Sequence, residues 1–127
     1  MNTKLKWSMV VVLCVVFSTI ILPRFFHHRE LPQKLHGVWE TGDTNYTDHY
    51  FLLDKNAIGF GTGDGKIDWY RITRVNETLQ RSTTLYAIEF QKDAGTVFKR
   101  LLYYYPVHGG RIRFKNQPNI EWAHVKS

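Results

Sequence analysis

Lys-Leu-His-Gly-Val-Trp-Glu-Thr, residues 34–41, is the stretch on which the reading of the whole chain turns. Gly37 and Trp39 form a G-x-W at the opening of a long series of strand signals, and Gly42, Asp43, Thr44 and Asn45 supply a turn directly after it. Working outward, the pattern predicts further strands over residues 46–53, 57–62, 67–75, 83–91, 96–105, 111–115 and 120–125. Hairpin-length links rich in Gly, Asp, Asn and Pro separate them. Tyr86, Ile88 and Phe90 fall on one face of their strand, and Phe51, Ile58 and Phe60 join them as expected inward residues.

No segment between these strands carries a helical period, so neither a βαβ unit nor a parallel sheet is supported. Eight short strands in sequence order need closure to hide their edges, and a barrel provides it within ~90 residues. The expected fold is therefore all-β: a small antiparallel up-and-down β-barrel of about eight strands, preceded by one N-terminal transmembrane helix. Gly59 and Gly61 in the third strand suggest sharp curvature or the close approach of another backbone. Residues 76–82 read as a polar loop, and Asn76-Glu77-Thr78 and Asn45-Tyr46-Thr47 match glycosylation acceptors that are turn sequences first.

The expected membrane helix is residues 7–22, WSMVVVLCVVFSTIIL, a run without a charge. At 1.5 Å per residue it spans roughly 24 Å, short of a ~30 Å hydrocarbon core. Lys4, Lys6 and Arg24 can snorkel from its ends, with Trp7, Phe25 and Phe26 at the interfaces. Trp7, Leu13, Phe17 and Leu22 mark the anchor. Its rival is a cleavable signal peptide, but Pro23-Arg24-Phe25-Phe26 offers no pair of small residues for cleavage. Cys14, the sole cysteine, lies inside the run, so an intrachain disulfide is excluded. The domain division is an anchor over residues 1–23, a juxtamembrane linker over 24–34 and a barrel over 35–127. An N-in, C-out anchor puts the barrel on the non-cytoplasmic side, periplasmic or extracellular, as a single-pass membrane protein.

The formal charge of +6 is unevenly placed. Residues 1–33 hold four basic side chains and one acidic, which leaves 13 basic and 10 acidic in the remainder. That mild excess, without a reader fold, argues against nucleic acid as a partner.

Gly37-x-Trp39 on the first strand, a meander of about eight strands and a last strand carrying Trp122 resemble the lipocalin-like, or calycin, barrels. The likeness covers residues 35–125. It implies that Trp39 closes one end of the barrel and packs against a basic side chain from a late strand, for which Arg111, Arg113 and Lys126 are the candidates. The chain departs from full-length lipocalins in its short strands, its lack of a C-terminal helix and its lack of a disulfide, and these departures weigh against a roomy ligand cavity.

Motifs for chemistry fail on inspection. Residues 59–68, GFGTGDGKID, lack the spacing of a phosphate-binding loop, and no helix follows. Six scattered histidines lack metal spacing, and Ser82 and Ser127 do not sit in a strained elbow. No catalytic residue, cofactor or metal site is expected, and the chain is not read as an enzyme. The function expected is that of a membrane-anchored interaction module docking a membrane or envelope protein; the alternative is a small hydrophobic ligand or lipid held in the barrel mouth. Arg111, Arg113 and Lys115 alternate with Ile112 and Phe114, which predicts an outward basic stripe as the candidate surface contact, extended by Lys99 or Arg100 according to register.

Overall fold

Alternating apolar residues and turn chemistry do produce antiparallel strands. A computed structural model describes residues 25–125, with side chains from Arg29 onward; the expected anchor, with Trp7, Leu13, Phe17 and Leu22, and the late basic residue Lys126 lie outside the described residues. The strands are β1 (Phe25–His28), β2 (Gly37–Thr41), β3 (Tyr50–Leu53), β4 (Ala57–Gly61), β5 (Ile67–Leu79), β6 (Thr84–Gln91), β7 (Val97–Tyr105), β8 (Arg111–Phe114) and β9 (Trp122–His124). Two 3-10 turns, Gln33–Leu35 and Thr44–Tyr46, stand where the first two strands were expected to begin. Among the described residues no helix is long and apolar enough to cross a membrane.

The sheet order β5-β4-β3-β2-β9-β8-β7-β6 returns to β5 through the β5–β6 pairing, so eight antiparallel strands close into a barrel. Closure removes most of the unpaired edge that so short a meander would otherwise expose. Inside, one side chain in two along each strand meets its neighbours in a single cluster that includes Trp39, Phe51, Ile58, Val75, Tyr86, Ile88, Leu102 and Ile112, all 2% exposed or less. Phe90 belongs to the same cluster, and Phe60 packs against it. The expected inward set is the observed one.

β5 is longer than its sequence suggests. A register shift between Ile72 and Arg74 makes Thr73 a bulge, and this moves the inward face from Tyr70 and Ile72 to Val75 and Glu77. Beyond the bulge, Asn76, Glu77, Thr78 and Leu79 pair in register with Ala87, Tyr86, Leu85 and Thr84. The expected loop over residues 76–82 is thus strand for half its length, because cross-strand pairing overrides its polar composition.

β1 pairs with β5 from Phe25↔Thr78 to His28↔Val75, on the edge that β4 vacates at Arg71. The chain then crosses the end of the barrel. Leu31 donates its N–H to Lys55 O at 2.9 Å, and the side chains of Leu31 and Leu35 are 3% and 0% exposed. The expected linker thus carries β1 and the buried Leu31, and Leu35 at the start of the expected barrel helps to plug its end. Gly59 and Gly61 are approached by rings rather than by backbone: Trp69 lies over Gly59 and Tyr50 over Gly61 on the outer face.

Candidate functional site

The barrel end that Leu31 and Leu35 plug is built on the G-x-W. Trp39 is fully buried, its Nε1–H donates to Leu35 O at 3.0 Å, and its ring stacks on Phe51 with centroids 6.2 Å apart. The residue covering its other face is His124 of β9, at 4.6 Å and 16° from parallel. Arg111 and Arg113, two of the three expected partners, do not take that role; they point outward to Glu121. Gly37 explains the substitution of a ring for a guanidinium. Its φ is +128°, and a Cβ there would overlap His124 Nε2, which lies 2.8 Å from His36 O. Only a glycine two residues before Trp39 leaves room for the imidazole to lie flat. Sequence reading missed His124 because its strand is three residues long and its partner lies 85 positions away.

A second polar group sits at the same end. The bulge in β5 aims Glu77 inward, where its carboxylate accepts the Tyr86 hydroxyl at 3.2 Å. Burial, reinforced by the nearby Glu77 carboxylate, holds the Tyr86 phenol well above its ordinary range. Lys34 Nζ stands 5.4 Å from the Tyr104 ring centre and 6.0 Å from that of Tyr86. Lys34 also lines an open cleft of about 300 Å³ with Gln80, Arg81, Ser82, Thr83, Thr84, Tyr104 and Pro106.

On β8 the alternation is as expected, with Ile112 and Phe114 buried and Arg111, Arg113 and Lys115 outward. The three cations are not alike. Arg111 Nε reaches Glu121 Oε1 at 3.0 Å and Arg113 Nη2 reaches Oε2 at 2.7 Å, so one carboxylate bridges both. Arg111 also donates to the carbonyls of His108 and Gly110, and Arg113 to that of Pro118. These two guanidiniums tie down the flanking loops. Among the described residues Lys115 has no ion pair.

The register Tyr103↔Arg113 puts Lys99 on the outer face with the stripe and Arg100 on the inner one. Both are exposed, and with Leu101, Lys115 and Asn116 they line a cleft of about 300 Å³. Neither forms an ion pair among the described residues. β8 pairs only with Leu102 to Tyr105, so among the described residues the first half of β7 has β6 on one side and no strand on the other. Val97 and Phe98 are 54% and 40% exposed there. Among the described residues, three cations without an ion pair therefore flank an open strand edge.

Among the described residues no group of three or more His, Cys, Asp or Glu side chains is placed to hold a metal ion. Asp68 is drawn toward Lys92 at 3.9 Å and Glu121 toward the two arginines. Compared with protein-family models, curated proteins and solved structures, the chain matches none.

Proposed function

We propose that the chain is a membrane-anchored interaction module: a small lipocalin-like barrel, held at a bilayer on the non-cytoplasmic side by residues 7–22, that docks a membrane or envelope protein. The observation that carries this reading is the filled interior. A carrier of small apolar molecules needs space where Trp39, Phe51, Ile58, Tyr86 and Leu102 are packed, each no more than 2% exposed. The exposed surface offers recognition instead, through the cations of Lys99, Arg100 and Lys115 beside the open half of β7. The lipocalin likeness is supported by Gly37, by Trp39 at a closed end and by Trp122 on the last strand, with His124 in place of the basic residue.

The anchor reading gains a consequence from β1. Only Pro23 and Arg24 separate the apolar run from Phe25, in place of a long tether. The barrel end bearing β1, the β5–β6 turn and the β7–β8 turn would then rest against the bilayer. The open half of β7 lies at the other end.

Crosslinking of the full-length chain in its native membrane, with native mass spectrometry of what co-purifies, tests the proposal. A single protein species crosslinked in stoichiometric amount is the expected result. A stoichiometric small apolar molecule, with no protein, would transfer the reading to ligand carriage. Retention in carbonate and an intact mass that includes residues 7–22 test the anchor.

A further inference from the structure

In an antiparallel ladder, successive residues turn their N–H and C=O alternately to the two neighbouring strands. The Leu101 carbonyl faces β8 and accepts the last bond of that pairing, from Lys115 N at 2.9 Å. Val97 and Lys99 share its parity, so their main-chain groups face the side where β8 has ended. The Lys99 carbonyl is met there by the guanidinium of its own neighbour, Arg100, at 3.3 Å. Along the inner face, the Phe98 ring continues the aromatic group of Tyr70 and Phe90, at 5.8 Å from each, yet remains 40% exposed.

We propose that the first half of β7 is a strand-addition site for an extended acidic segment of a partner protein, paired along Val97 to Leu101 with its carboxylates on the outer face against Lys99 and Lys115, near the Arg100 guanidinium that turns to the Lys99 carbonyl. The inference rests on the interaction-module reading and gives it a site and a partner chemistry. Main-chain bonds supply affinity in such pairing, and side chains at alternate positions supply selectivity. Charge selects the occupant. A second copy pairing through the same edge would set Lys99 and Arg100 against their own kind, which is unfavourable. Basic residues on an edge commonly serve to deter such pairing, and that role is compatible with admitting an acidic strand. Deterrence alone leaves unexplained why Val97 and Phe98 stay apolar at the open position.

The location argues against lipid as the occupant. β7 runs from Tyr105, at the end where β1 enters, to Val97 at the other, and eight steps of a strand cover roughly 26 Å. Headgroup charge is screened within about 8 Å at physiological ionic strength, so little of it reaches Lys99.

The test uses the full-length chain in nanodiscs and a ten-residue peptide of alternating Glu and Val, with the Lys and Val counterpart as control. Residue-resolved amide exchange is the readout. The acidic peptide should slow exchange at Val97 and Lys99 by about tenfold or more, and the basic one should not. Lys99→Pro should abolish that protection with an unchanged melting temperature, since the lost N–H faces the open side and not β6. Should Lys99→Pro unfold the barrel, the triple variant Lys99→Glu, Arg100→Glu, Lys115→Glu decides instead, by reversing the preference toward the basic peptide. Protection by both peptides alike, protection that depends on anionic lipid and not on peptide, or none at all overturns the strand-addition site. Each of those results leaves the interaction-module reading to its own crosslinking test.

Discussion

His124 lies flat on Trp39 across the one position of β2 that has no side chain, Gly37. The three residues form a single packing unit and should behave as one. Gly37→Ala places a Cβ both at φ +128° and inside the imidazole, and the backbone strain alone costs about 1–3 kcal/mol. His124→Ala uncovers one face of Trp39. Because truncating His124 removes the overlap, the double variant should lose less than the sum of the two, with a coupling of about 0.5–3 kcal/mol. Urea denaturation of the four proteins measures it, and strict additivity would show that the imidazole does not set the requirement for glycine.

Trp39 and Trp122 are both buried, but their indole N–H groups differ. Trp39 Nε1–H is bonded to Leu35 O, whereas Trp122 Nε1 is buried without a hydrogen-bond partner among the described residues. Replacing either by Phe removes similar volume. At position 39 it also strands a buried carbonyl, and at 122 it removes an unsatisfied donor, which separates the two by about 1–3 kcal/mol. Trp39→Phe should be the more destabilising in chemical denaturation. The reverse order would refute the hydrogen-bond account.

Where side-chain alternation is strict, the sequence was readable. Tyr86, Ile88 and Phe90 on β6, and Ile112 and Phe114 on β8, face inward as their spacing requires. What escaped depends on residues far apart. The bulge at Thr73 resets the face of β5 only because β6 is beside it, and Phe-Phe-His-His becomes a strand only because β5 runs past β4. The same limit applies to the candidate site. The stripe on β8 was visible as an alternation, but nothing local distinguishes Arg111 and Arg113, which Glu121 neutralises, from Lys115, which it does not.

Residues 29–35 span the end of the expected linker and the start of the expected barrel. If the linker expected over residues 24–34 were solvated, substituting Leu31 would change stability by no more than about 0.5 kcal/mol. Leu31 and Leu35 are instead 3% and 0% exposed within the core. Leu31→Ala and Leu35→Ala should each cost about 2–5 kcal/mol. Thermal or urea unfolding of the full chain provides the comparison.

Tyr86 gives the barrel a sensitivity to alkali. An unfolded tyrosine titrates near pH 10, while burial and then the Glu77 carboxylate raise the folded value. Above about pH 10 the unfolded chain releases a proton that the folded chain keeps, so stability is full below that pH and falls as pH rises toward the folded value. Tyr86→Phe should flatten this limb, at the expense of the bond to Glu77 at neutral pH. Denaturation midpoints from pH 8 to 11 would reveal it, and identical slopes for the two proteins would remove Tyr86 as the cause.

The exposed or half-exposed cations of β7 and β8 divide into two groups, and charge reversal should separate them. Arg111 and Arg113 grip Glu121 and three loop carbonyls, those of His108, Gly110 and Pro118. Reversing both would set three carboxylates together and release two loops. The ion pairs themselves are discounted because the Glu121 side chain is 44% exposed, which leaves a loss of about 1–2 kcal/mol that shrinks in high salt. Lys115→Glu or Lys99→Glu breaks no ion pair among the described residues and should stay within about 0.5 kcal/mol of the parent. Binding should follow the opposite order: reversal at Lys99, Arg100 and Lys115 weakens capture of an acidic segment, while Arg111→Lys preserves it. Urea midpoints at low and high salt, measured beside peptide affinity on the same proteins, give both orders. A loss of affinity on Arg111→Lys equal to that on Lys115→Glu would mean that the whole stripe, and not the open edge of β7, is what a partner recognises.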